Sequence, residues 1–405
     1  MNTEAFIAAY REDDITQTAL RTRQYPEVDA AFALQQIEGW QKARLKLPSI
    51  AAIPGWIWPR RLSVEQSSSE ECAALKQRIL SDSFRAGAKL TGADLTGGMG
   101  IDSFFLSRLT GEWTYVEMQE ELFRIAEHNF RLADKPIRVV NTTAEAYLEQ
   151  MEPADLLFID PARRDNHGGK VFRLQDCTPD AAALYPLLMR KTRTLALKLS
   201  PMLDLHEALR SLPDAEEAYV LALRGEVKEL FIICRKSADS SAEEEATSRQ
   251  PRITAINITP QGEESFCFTE KEEQVAQPAF CRADETQEGY LYEPNAAILK
   301  AGAFKLIATR FGLRKLAPNT HLYHSPKLTE GFPGRTFRIV GTVDKQHQKS
   351  LSGQAYNILT RNHPLRPEEI RKKLKTKDGG ERFIIGARTG EKAMLFIAER
   401  ISQTK

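Results

Sequence analysis

Three short stretches carry residue types that can do chemistry. "LLFIDPARRD" ends an apolar run on Asp160, Pro161, Ala162 and Arg163. "ADLTGGMGID" sets Asp94 before a loop with Gly97, Gly98 and Gly100, and "WTYVEM" stops on Glu117 and Met118. A proline after an acid fixes φ and offers no N–H, so the carbonyls of such a turn can face an amine donor beside the carboxylate. A guanidinium at Arg163 or Arg164 can stack on a base or pair with phosphate. The alternative is a helix-capping turn with surface arginines. The glycines permit a tight turn and close backbone approach to a ligand at a helix start. As a dinucleotide fingerprint the loop fails, because Ser103 stands where a third glycine belongs. Asp94 is awkward beside a pyrophosphate and suits an ammonium group. Glu117 has two acceptors that match a ribose diol, with Met118 set to lie against a purine; a solvated strand end is the other reading.

The elements around these stretches place them at strand ends. From "SSSEECAALKQRIL", where Ser69 caps a helix, apolar runs alternate with helical ones: "GADLTGG", "EWTYVEM", "IRVVNTT", "ADLLFIDP" and "TLALKLSP" are each followed by a helix. That alternation predicts a parallel sheet with helices on both faces. "EAYVLALR" and "VKELFIICR" then form an antiparallel pair at the sheet edge. Before this region, "EVDAAFALQQIEGWQKARLKL" has helical spacing at Val28, Ala31, Phe32, Leu34, Ile37 and Trp40. Trp56 and Trp58 either pack or cover a ligand, and packing is the expectation. After it, the polar segment Ser237–Gln250 is a linker or an exposed excursion. "NAAILKAGAFKLIATRFG" is helical with Gly312 as its cap, and an α+β module closes the chain.

The chain has 405 residues, 42% hydrophobic and 27% charged, with a net charge of +1. That length predicts two or three domains, and the charge balance confines any basic surface to a patch. Five scattered cysteines form no C-x-x-C pair, so no zinc knuckle or disulfide framework is expected. No secretory leader and no membrane-length apolar run is read, which makes a reducing cytoplasm the expected location.

The glycine loop, Glu117 and the Asp-Pro strand end together resemble a class I S-adenosylmethionine-dependent methyltransferase, over about Gln66 to Lys236. The resemblance implies a Rossmann-like α/β core, a mostly parallel sheet with an antiparallel edge strand. It also implies S-adenosyl-L-methionine as cofactor, with Asp94, Thr96, Gly97, Gly98, Gly100 and Asp102 toward its methionine part. Glu117 would take the ribose, with Met118 beside the adenine. The usual acid after the third strand is absent, so Thr143 or the backbone at Ala144 is the adenine candidate. Asp160-Pro161 resembles the Asp/Asn-Pro-Pro-aromatic motif of enzymes that methylate amines of nucleic-acid bases, with Ala162 and Arg163 as departures. The resemblance makes Asp160, Pro161 and Arg163 the catalytic set. Families that methylate base carbons use a cysteine at a strand end; "LKLSPM" has Ser200, and Cys177 lacks the motif. His167, in "NHGGKVF", is a proton acceptor or an exposed loop histidine. The "HN" pair at Asn129 also resembles RNA methyltransferases, although a helix-end role suits Asn129 better.

In "HPLRPEEIRKKLKTKDGGERF", Pro367 starts a helix, Arg371, Lys372, Lys373, Lys375 and Lys377 crowd its end, and Gly379 and Gly380 stop it. This is either a solvated face or a phosphate-binding one. The whole chain resembles a bacterial group with a methyltransferase core, a ferredoxin-like segment and a THUMP-like RNA-binding module. The expected division is therefore a helical region 1–65, a methyltransferase domain 66–236, a linker with a ferredoxin-like segment 237–330, and a THUMP-like α+β domain 331–405. The expected activity is methylation of an exocyclic amine in tRNA or rRNA, guanine N2 among the candidates, with Arg163, Arg164, Arg371, Lys372, Lys373 and Lys375 gripping the RNA. No metal and no membrane is expected. A DNA, protein or small-molecule acceptor is a second reading, and a catalytically silent RNA-binding protein a third.

Overall fold

The computed structural model describes residues 1–82, 84, 90–163, 173–236, 250–344 and 347–401. Arg164, His167 and the linker 237–249 lie outside the described residues. Two compact units emerge: Met1–Glu216 with Leu230–Arg249, and Glu217–Glu229 with Gln250–Lys405.

In the first unit the helices α1 (Thr3–Tyr10), α2 (Ile15–Arg21), α3 (Ala30–Lys46), α4 (Pro48–Ala51), α5 (Arg61–Gln66) and α6 (Glu70–Ser81) precede any strand. Ser69 caps α6 as read, accepting from the Cys72 amide. The α/β part follows with β1 (Thr91–Asp94), α7 (Ile101–Leu106), β2 (Glu112–Glu117), α8 (Glu120–Leu132), β3 (Ile137–Asn141), α9 (Ala144–Gln150) and β4 (Ala154–Ile159). Two-residue strands β5 (Ala162–Arg163) and β6 (Cys177–Thr178) pair antiparallel, and α10 (Ala181–Lys191) and β7 (Thr192–Leu199) come next. The strands lie in the order β3-β2-β1-β4-β7, all parallel. β9 (Glu226–Arg235) pairs antiparallel with β7. Parallel strands whose faces are both covered by helices read as near-continuous apolar runs, and "LLFI" and "LAL" do so in β4 and β7.

Residues 1–65 belong to the same unit as the α/β part. Trp56 and Trp58 are buried and share one core with Met99, Ile101, Phe104, Tyr115 and Phe130, so the packing expectation for both tryptophans holds. Sequence periodicity misplaced part of α3: Ala31 and Phe32 are exposed, whereas Gln36 is buried and clasps the Trp58 backbone at 2.7 and 2.9 Å. A buried amide is tolerated there because both of its ends are satisfied.

In the second unit β8 (Ala215–Leu223), which the chain enters before β9, does not end its sheet: β10 (Arg252–Thr259) runs parallel to it and β11 (Gly262–Thr269) pairs antiparallel with β10. The antiparallel pair read as an edge thus has a further neighbour, supplied by "RITAINI" from beyond the linker. A separate sheet contains β12 (Tyr290–Pro294), β13 (Arg314–Ala317), β14 (Thr320–Ser325), β15 (Gly334–Thr342), β16 (Ala355–Arg361), β17 (Lys377–Thr389) and β18 (Lys392–Ile401). Their order is β13-β14-β12-β15-β18-β17-β16, antiparallel except for β16 beside β17. Leu291, Leu322, Phe337, Ile385 and Phe396 form its core.

Two expectations fail here for local reasons. The run 295–312 breaks into helices Ala296–Ala301 and Leu306–Arg310, because Gly302 adopts the left-handed conformation at φ +83°. The basic helix ends earlier than read, at Leu374, with Lys375 left-handed as its cap. Gly379 and Gly380 lie inside β17, at a register shift opposite β16. Among the described residues no helix is long and apolar enough to cross a membrane, and no cluster of three potential metal ligands forms.

Candidate functional site

The first unit contains a cleft of about 390 Å³ at the C-terminal ends of β1, β2 and β4. Asp94, Thr96, Gly97, Gly98, Gly100 and Asp102 line it, as do Glu117, Met118, Ala144 and Asp160. Parallel-sheet topology explains the convergence: ligands of open α/β sheets sit outside the carboxyl ends of the strands. Thr143 is not on the wall; it caps α9, accepting from the Ala146 amide at 3.2 Å.

The glycine loop is held by its neighbours. The Gly97 amide donates to the Val116 carbonyl and the Tyr115 hydroxyl to the Gly98 carbonyl, at 2.8 and 2.6 Å. Gly100 has φ +84°, and a Cβ there would lie 2.7 Å from the Phe130 ring. Only glycine meets both demands.

Asp94 is 1% exposed. Its carboxyl accepts from the Thr96 amide at 3.0 Å and from the Ser103 hydroxyl at 2.8 Å. Among the described residues it makes no ion pair with a lysine or arginine. Burial pushes it up to about 7, with Asp102 and Asp160 nearby adding to the rise while the bonds from Thr96 and Ser103 oppose it. Glu117 is 6% exposed, and each of its oxygens takes one backbone N–H: Oε2 from Gly98 at 2.7 Å and Oε1 from Gln119 at 2.8 Å. A carboxylate has about four acceptor sites, so each oxygen keeps capacity for one more donor. Asn141 pins the end of β2 from the next strand, donating to the Glu117 carbonyl at 2.7 Å.

Thr96 joins the loop to the fourth strand end: its Oγ1 accepts from the Asp160 amide at 2.6 Å. Asp160 Oδ2 meets Lys198 Nζ at 2.5 Å, and Lys198 also stands 3.6 Å from Asp102 Oδ2. Asp102 in turn takes Lys76 at 2.9 Å and the Ser68 hydroxyl at 2.8 Å. Burial works against the charged form of Asp102, yet Lys76 and then Lys198 hold its carboxyl down at about 2. An alternating row Lys76–Asp102–Lys198–Asp160 therefore runs under the cleft. Sequence reading named the two acids and missed both lysines. The available signal was a lysine inside an apolar strand, "TLALKLSP", and another on the buried side of α6.

Pro161 is buried beside Asp160, and Arg163 pairs through its backbone with Cys177. Cys177 is buried and bonded toward the Arg173 carbonyl, and burial lifts the Cys234 thiol to about 12. The Cys234 thiol is therefore not a poised thiolate. Asn129 is fully buried and exchanges two 2.9 Å bonds with the Ile57 backbone. It is a packing residue. In the second unit Arg371 is spent on structure, reaching the Tyr356 and Lys377 carbonyls and Asp378 Oδ1 at 2.6 Å. Lys372, Lys373 and Lys375 are exposed.

Comparison with known proteins adds the following. A ferredoxin-like domain model matches residues 290–333, and a THUMP domain-like model matches residues 334–400. A solved structure from Porphyromonas gingivalis W83, described as a "putative methyltransferase", is similar over 99% of this chain and 98% of its own, with 32% identity and a TM-score of 0.83. An O-methyltransferase from Bacillus cereus in complex with SAH matches 48% of this chain and 91% of its own, at 15% identity and a TM-score of 0.33. A ribosomal protein L11 methylase from Lactobacillus delbrueckii subsp. bulgaricus matches 40% of this chain and 79% of its own, at 16% identity and a TM-score of 0.30. No curated protein matches the chain.

Proposed function

The chain belongs to the same family as the Porphyromonas gingivalis methyltransferase-fold protein, and from that premise we propose that it transfers a methyl group from S-adenosylmethionine to an exocyclic amine of a base in tRNA or rRNA. The observation that carries the cofactor is the buried Asp94 carboxyl, which has no counter-cation among the described residues and lies on the same wall as Glu117. An ammonium group supplies the charge Asp94 lacks. A ribose diol supplies one donor to each Glu117 oxygen. The glycine loop would give the close approach that the methionine part needs, and Ala144, which lines the same cleft, would offer its backbone to the adenine.

The bound cofactor contributes an electrophilic methyl on a sulfonium. The chain's own residues must bring a nitrogen lone pair in line with it. Asp160 is suited to this. Lys198 pins Oδ2 and Thr96 holds the backbone amide, so Oδ1 is left to accept an N–H of the target amine. With the cofactor bound, Oδ1 would orient the amine and accept the proton that its nitrogen gives up on methylation. Pro161 withholds an N–H and leaves nearby carbonyls to the amine. Arg163 and Arg164 take the base or a flanking phosphate in this reading, and Lys372, Lys373 and Lys375 add distant phosphate contacts. The working division is a methyltransferase domain 66–236 extended by 1–65, then 237–330 and the RNA-gripping 331–405.

The test is methyl transfer from labelled cofactor into total RNA of a cytoplasmic extract from a strain lacking the gene, followed by mapping of the labelled nucleotide. Label in an exocyclic amine supports the reading. Label in DNA, protein or a small molecule replaces the acceptor, and no SAH binding by calorimetry removes the enzyme.

A further inference from the structure

A second concavity, of about 970 Å³, lies wholly within the second unit. Its walls include Arg224, Arg335, Arg361 and Arg400 from separate segments, against three acids, Glu263, Glu264 and Glu293. The arrangement of these charges decides what it can hold.

Glu293 is at the bottom, 3% exposed, and is shared by two arginines. Oε2 takes Arg335 Nε at 2.7 Å and Oε1 takes Arg361 Nη2 at 2.5 Å. Arg335 is its cross-strand neighbour on β15. Arg361 comes from the end of β16, at the far edge of the sheet order, so the sheet curls to bring it there. One carboxylate cancels one of two guanidinium charges. The arginine side chains remain 36% and 38% exposed while the acid is covered, so the surplus positive charge is the part that faces out. Glu264 keeps its charge but is held against the wall, its Oε2 accepting from the Asn257 and Asn295 amides at 3.0 and 2.9 Å, and the four lining arginines still outnumber the three acids. A tie between strands alone needs no second arginine, and apolar residues would serve it as well.

The other walls narrow the ligand. Among the described residues the aromatic side chain lining the cleft is Phe332, fully buried, so they offer no ring for base stacking. Guanidinium forks and amides suit phosphate and sugar. Given the RNA acceptor proposed above, on which this step rests, we infer that this cleft seats the phosphate backbone of a single RNA strand, gripping it without reading its bases.

The full-length protein and a single-stranded RNA of mixed sequence test this, with affinity measured across a salt series. Each lost phosphate contact on a single strand reduces the slope of log affinity against log salt by about 0.7. Arg400→Ala, on the exposed rim, and Arg361→Gln are each expected to lower the slope by about that much, equally for every base composition, with SAH binding unchanged. Arg400→Ala stands outside the Glu293 cluster and guards against misfolding in the other variant. If the wild-type slope persists in both variants while Lys372→Ala and Lys373→Ala lower it, the cleft is not the seat, although the RNA acceptor survives. If the wild type binds no RNA at any salt concentration, this inference and the RNA acceptor fall together.

Discussion

The Lys198 ammonium lies 2.5 Å from Oδ2 of Asp160 and so fixes one of the two oxygens of the acid that ends the fourth strand. The oxygen that remains is the one an incoming amine can use. The same ammonium reaches Asp102 on α7, which couples the Asp-Pro turn to the helix behind the glycine loop.

Asp160→Ala is expected to keep SAH affinity and RNA affinity and to slow single-turnover methyl transfer by roughly a hundredfold, the scale of losing one preorganised contact to the reacting group. Lys198→Met should fall between this variant and the wild type. Transfer at the wild-type rate in Asp160→Ala sinks the amine-presenting role.

Glu117→Ala should weaken SAH binding by about 1.5–3 kcal/mol, the size of a hydrogen bond to a charged group. The same change frees the Gly98 and Gln119 amides, so Glu117→Gln separates the two effects. Glutamine retains acceptor capacity at one atom, and its loss should be smaller. Calorimetry that finds the alanine variant unchanged removes the ribose assignment.

The pH dependence follows from Asp94 and Asp102, and the signs differ. Asp94 is raised from 3.8 to about 7, so its contribution to folding stability is complete below pH 3.8 and is lost as pH rises through about 7. Three units correspond to on the order of 4 kcal/mol. Asp102 is lowered to about 2, so its contribution is present above pH 3.8 and is lost as pH falls through about 2. Denaturation of Asp94→Asn between pH 4 and 8 should show a flatter profile than the wild type. If Asp94 receives the cofactor ammonium, SAH affinity should climb as pH rises through about 7, and calorimetry in buffers of different ionisation enthalpy should show proton release. An affinity without pH dependence in that range places the ammonium elsewhere.

Much of this site was legible, and the reason is topological. Asp94, Glu117 and Asp160 each end an apolar strand, and a parallel sheet brings such ends together whatever lies between them. What stayed hidden depends on contacts across long separations. Lys76 meets Asp102 and Lys198 meets Asp160 only after folding, and nothing in a local window marks either lysine as a partner. The burial of Gln36 likewise depends on Trp58, 22 residues away, whose backbone it clasps. The basic helix shows the converse error: its composition was read correctly, yet Arg371 turns back onto its own neighbourhood.

A thiolate mechanism gives the last prediction. Cys177→Ser and Cys234→Ser should both retain methyl transfer, because both sulfurs are buried and the Cys234 thiol is raised to about 12. A covalent adduct with a fluorinated pyrimidine RNA, lost in either variant, would show base-carbon chemistry instead.

The tryptophans at 56 and 58 set how this architecture can be divided or inherited. They lie against Phe104 and the aromatic ring set behind the glycine loop. A chain trimmed to start at residue 66 would leave that aromatic surface wet, and it should self-associate rather than behave as a minimal catalytic domain. For the same reason the leading helices are a poor cassette. A relative that exchanges them must exchange the opposing aromatics too, so the two stretches are expected to change as a matched pair over evolutionary time.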